Sequence, residues 1–170
     1  RAQETQLWYN RFTDEHGWAS NEVDFPNGGL VIMVGNLIQK GMPSNQKCIG
    51  YGIEGYVGAD YATPFPINEL YMVNNTVVID QNPNPIYPPR ILTINENALV
   101  TNRKIMNNVA YCAPGVAPWP TTAGFSNNFN LVAGDMPNMA SYDYRLTELN
   151  GWGTVKQALD PGSAYGVPLT

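Results

Sequence analysis

The chain has 170 residues and a mass of 18.7 kDa, enough to bury one hydrophobic core and short for two, so it reads as a single domain over 1–170. Only 14% of residues are charged, and a net charge of -5 with a pI near 4.7 and no basic run denies it the cationic footprint that nucleic acid or anionic lipid requires. No apolar run approaches the roughly 18 residues of a membrane span, which excludes an integral helix in this chain.

Polarity is carried by amides and hydroxyls, with 20 Asn, 16 Gly, 14 Pro and 10 Tyr. That composition, an opening on Arg1 without an apolar leader, and two cysteines outside any CxxC pair point to an exported protein in processed or trimmed form. Cys48 and Cys112, 64 positions apart, are then expected to form a disulfide worth about 4 kcal/mol in the chain-entropy model, the alternative being two buried thiols.

Residues 1–16 contain no Pro or Gly and place Trp8 and Phe12 at i, i+4 beside Leu7 and Tyr9, which predicts an amphipathic helix ending at Gly17. Leu7, Trp8, Tyr9 and Phe12 are its expected packing and assembly face. Residues 30–41 put Leu30, Val34, Leu37 and Ile38 on one helical stripe, although LVIMV would also serve as a buried strand. From Cys48 the period shortens. ELYMVNNTVVID reads as two strands joined at Asn74-Asn75, a Pro-rich loop through Pro83, Pro85, Pro88 and Pro89 follows, and ILTI is a further strand. Residues 96–112 fit a short helix or more strand equally, FNLVAG, YDYRLTEL and GTVKQAL are strand-like, and no internal repeat is evident. The expected fold is therefore α+β, an N-terminal helix packed on an antiparallel sheet with long Pro/Gly/Asn-rich loops, with a β-sandwich carrying one helix as the alternative.

Chemistry is sparse. Gly50-Tyr51-Gly52-Ile53-Glu54-Gly55 spells GxGxxG, but Tyr56 to Asp60 continue with strand alternation where a dinucleotide site needs a helix, so these glycines belong to a bent strand. His16, the sole histidine, is adjacent to Asp14 and Glu15, positions that do not face one another on a helix. One histidine without CxxC argues against zinc, whereas Asp60, Asp135, Asp143 and Asp160 in loops leave calcium open. No catalytic signature is present, so the chain is read as not an enzyme and without a cofactor. Trp119 in Pro-Trp-Pro, Trp152 in Gly-Trp-Gly, and Tyr142 are candidate exposed rings for stacking a glycan or a partner.

Arg1-Ala2-Gln3, Tyr9 to Phe12, Asp14, Gly17-Trp18, Leu30, Leu37, Gly41 and Pro43 together resemble the exposed half of the long helix and following segment in type IV pilins and type II secretion pseudopilins, over about 45 residues. The resemblance implies a helix on an antiparallel sheet, export, and polymerisation in place of catalysis. The function expected from these readings is a structural subunit of an exported or surface assembly, such as a pilus-like filament or a phage or virus tail or shell. Its partners would be copies of itself or other subunits. The alternative is a carbohydrate-binding domain.

Overall fold

Five short segments share one pattern: a strand, one residue in the left-handed backbone region, an asparagine, and a second strand. The left-handed residues are Tyr9, Gly35, Asn74, Asn107 and Asn127, with φ of 55°, 66°, 56°, 54° and 49°, and the asparagines that follow are Asn10, Asn36, Asn75, Asn108 and Asn128. Gly35 and the three asparagines enter this region at little cost and Tyr9 at more, and each bends the chain sharply between two strands. At Gly35 a side chain is also sterically barred, because a Cβ there would lie 2.5 Å from the Tyr9 ring.

The structure, a computed structural model, describes residues 2–15, 17, 19–41, 47–58, 60–81, 90–96, 99–116, 119, 124–136 and 138–144. In chain order the strands are β1 (Glu4–Trp8), β2 (Arg11–Thr13), β3 (Val23–Phe25), β4 (Leu30–Val34), β5 (Leu37–Lys40), β6 (Lys47–Tyr51), β7 (Glu69–Val73), β8 (Thr76–Ile79), β9 (Arg90–Ile94), β10 (Asn102–Met106), β11 (Val109–Cys112), β12 (Phe125–Ser126) and β13 (Phe129–Leu131). Two 3-10 turns, Ala133–Asp135 and Met139–Ser141, follow. Every strand pairing among the described residues is parallel. The sheets run β1-β4-β7-β10-β12, β2-β5-β8-β11-β13 (in the order β13 to β2) and β3-β6-β9.

Consecutive strands thus belong to different sheets and each strand pairs with its counterpart one coil later, which makes a parallel β-helix. Successive coils are offset by 26, 39, 33 and 20 residues along the first sheet. The interior stacks like on like: Leu7, Met33, Met72, Ile105 and Phe125 form one column, Phe12, Ile38, Val77 and Ala110 a second, Val23, Ile49 and Leu92 a third. Parallel strands are buried on both faces, so LVIMV is a continuous apolar run without the alternation of a half-exposed strand.

This architecture corrects the expected α+β class and the β-sandwich alternative. No α-helix occurs among the described residues, and no sheet is antiparallel. Leu7 and Trp8 lie in β1, Tyr9 in the bend and Phe12 in β2, so the i, i+4 spacing of Trp8 and Phe12 spans a corner between two sheets and the helix implied by the pilin resemblance does not form there. The segment 30–41 is β4 and β5, 96–112 contains β10 and β11, and Asn74-Asn75 joins strands of two different sheets. A repeat is present after all, hidden by unequal coil lengths.

Candidate functional site

The bend asparagines form a ladder. Asn36 donates through its backbone N–H and its Nδ2 to Asn75 Oδ1, each at 2.9 Å, and Asn75 donates likewise to Asn108 Oδ1, each at 2.9 Å. Asn108 does the same to Asn128 Oδ1 at 3.0 and 2.9 Å, and Asn10 to Asn36 Oδ1 at 2.9 and 3.3 Å. The second Nδ2 hydrogens of Asn36, Asn75 and Asn108 go back to the carbonyls of Leu7, Met33 and Met72, and one Nδ2 hydrogen of Asn128 goes back to Ile105 O. Asn36, Asn75 and Asn108 therefore each tie a coil to both neighbours in a buried place where an unpaired group would be costly.

A charged cluster sits at the end of β5. Lys40 is fully buried, and its Nζ donates to Ala19 O at 2.5 Å and lies 3.5 Å from Glu22 Oε1. Asp14 Oδ1 accepts from Gly41 N at 2.6 Å, while its Oδ2 has no other donor among the described residues unless the neighbouring Glu22 carboxyl carries a proton. Burial, reinforced by the Asp14 charge and only partly offset by Lys40, raises Glu22 to about 7. The folded state therefore holds a proton that the unfolded chain releases above its ordinary pKa of 4.5. This contribution to stability is complete below about pH 4.5 and is lost as pH rises through 7. We expect Glu22→Gln to remove a pH-dependent loss of about 2 kcal/mol, read as the difference between variant and parent urea midpoints at pH 5 and pH 8. Equal pH profiles for the two proteins would contradict it.

An open pocket of about 490 Å³ lies on the outer face of the second sheet, lined by Arg11, Leu37, Thr76, Tyr142, Asp143 and Tyr144. It exists because residues 133–136 and 138–144 lie along that face: Met136 and Tyr144 pack on Val78, Val109 and Leu131, with Met139 and Tyr142 beside them. Arg11 secures the returning segment, donating to Tyr142 O at 2.9 Å with its guanidinium 5.6 Å from the centre of the Tyr144 ring. Both phenols are pushed up, chiefly by desolvation.

The two candidate stacking rings among the described residues, Tyr142 and Trp119, do not converge. Tyr142 is half-buried at this pocket, Trp119 is 5% exposed within the coil interior, which corrects its reading as an exposed ring, and Trp152 lies outside the described residues, as do His16 and Asp160. The expected disulfide is also corrected: Cys48 and Cys112 are free thiols on strands of different sheets, Cys48 wholly buried. Burial pushes the Cys48 thiol far above its ordinary range and Cys112 up to about 12, so both behave as small apolar side chains. Gly50 to Gly55 form the end of β6 and a turn, with Gly52 and Gly55 at φ of 67° and 96°. Among the described residues no group of three His, Cys, Asp or Glu is placed to hold a metal ion, and no helix is long and apolar enough to cross a membrane.

Sequence reasoning missed the ladder, the Asp14–Glu22–Lys40 cluster and Arg11. The ladder had a signal: strand-like runs repeatedly end in Gly-Asn or Asn-Asn. Arg11 had none, being 131 positions from Tyr142. No family model, no curated protein and no solved structure matches the chain.

Proposed function

We propose that the chain is a non-enzymatic structural subunit of an exported or surface assembly, a filament, tail or shell element whose partners are copies of itself or other subunits. The observation that carries this reading is the ladder. Its amides and the buried Lys40 hold coil to coil, which builds a stiff rod of parallel strands, while the first coil presents Asn10, Trp8 and the 76%-exposed Tyr9 at an edge with no strand partner among the described residues. Leu7, Trp8, Tyr9 and Phe12 keep their proposed part in assembly as members of that coil. Light scattering and negative-stain microscopy of the protein recovered from its source test it. Particles or filaments are expected, and a monodisperse single subunit would refute the reading.

A second reading is favoured by the pocket. Two tyrosines, a threonine hydroxyl, Arg11 and Asp143 around an open hollow are the groups with which a protein stacks and hydrogen-bonds a sugar. On this reading Tyr142→Ala abolishes binding to any glycan that the parent retains on an array, and unchanged binding would dismiss it.

A further inference from the structure

The two ends of the ladder are left complementary. At its start, Asn10 uses its backbone N–H and Nδ2, and among the described residues nothing donates to its exposed Oδ1. At its end, Asn128 Oδ1 is filled by Asn108 and its Nδ2 reaches Ile105 O, but its backbone N–H and second Nδ2 hydrogen, the pair every earlier rung donates forward, find no acceptor among the described residues.

The backbone edges agree. Gln3 O accepts from Leu30 N and Tyr9 N donates to Val34 O, so the odd-numbered residues of β1 face β4 and the N–H groups of Glu4 and Trp8 turn outward. Phe129 N donates to Asn108 O, so Phe129 faces β11 and Asn130 turns away from it. Continuing the observed register by one coil sets Phe125 over Leu7 and Phe129 to Leu131 over β2, which has the same length of three residues as β13. Leu7 and Phe125, each only partly buried against the core, would then cover one another.

Resting on the structural-subunit reading, we propose that the last coil of one copy, Phe125 to Leu131, stacks on the first coil of a second copy, Glu4 to Thr13, with Asn128 donating to Asn10. Such a head-to-tail contact does not close on itself and propagates as a filament.

Trp8→Pro removes an outward N–H from the head, and Asn130→Pro removes one from the tail. Neither touches a bond between described coils. In sedimentation equilibrium the parent chain is expected to grow in mass with concentration, each variant to stay at the mass of one subunit, and an equimolar mixture of the two to stop at dimers. Should Trp8→Pro fail to fold, Thr5→Lys places a charge at the same mouth. A parent chain that stays monomeric, or variants that associate as it does, overturns the proposal, including the case in which a different polypeptide covers the edge. If native assemblies form and still incorporate both variants, the subunit reading survives and head-to-tail stacking does not. If the native material is a single subunit, the subunit reading itself is lost.

Discussion

Asn75→Ala is expected to cost about 4 kcal/mol, close to the whole stability margin of many domains. Asn75 is fully buried, its Oδ1 accepts from both donors of Asn36, and its Nδ2 serves Met33 O and Asn108 Oδ1. Truncation strands the Asn36 N–H and amide together with a carbonyl, and each buried orphan costs about 1–3 kcal/mol, with losses that overlap. Asn10→Ala removes the same chemical group at the solvent-exposed end of the ladder, where water replaces the lost bonds, and should cost about 1 kcal/mol or less. Urea unfolding of the two variants checks the contrast. Losses equal within about 0.5 kcal/mol would mean the ladder is not what binds the coils.

Lys40→Met should destabilise by about 3 kcal/mol at pH 8, because it leaves Glu22 and the carbonyl of Ala19 buried without their cation. The loss should shrink at pH 5, where Glu22 takes up a proton and no longer needs a counter-charge. Adding Glu22→Gln to Lys40→Met should restore part of the pH 8 loss, since it removes the stranded carboxylate and keeps a donor toward Asp14. A pH-independent loss, or a double variant no better than the single, would show that Lys40 acts by packing alone.

Much of the strand content was legible. ILTI, the paired runs around Asn74-Asn75 and FNL are strands, because turn chemistry is local, but the bent strand read through Gly50 to Gly55 and on from Tyr56 ends at Tyr51, and Gly52 to Gly55 form a turn. The N-terminal coil was misread because its bend is made by Tyr9 in the left-handed region, where no Gly or Pro announces a turn, so a strand, a corner and a strand passed for a helix. LVIMV was ambiguous for a different reason: a strand buried on both faces has no period to read. The repeat escaped because loops of different length separate the coils, leaving only the strand-Asn junctions in common. Of the candidate sites, the cysteine pair misled because spacing says nothing of which sheet each residue joins. The Tyr142 pocket was half legible, since the ring could be named while Arg11 could not.

Fibre diffraction or cryo-electron microscopy of the native assembly bears most directly on the central claim, that coil-on-coil stacking tied by asparagine is both the fold and the means of assembly. The prediction is an axial repeat of about 4.8 Å, strands perpendicular to the long axis and continuous across subunit boundaries. Subunits joined side by side, with strand stacks interrupted or running across the filament, would contradict it.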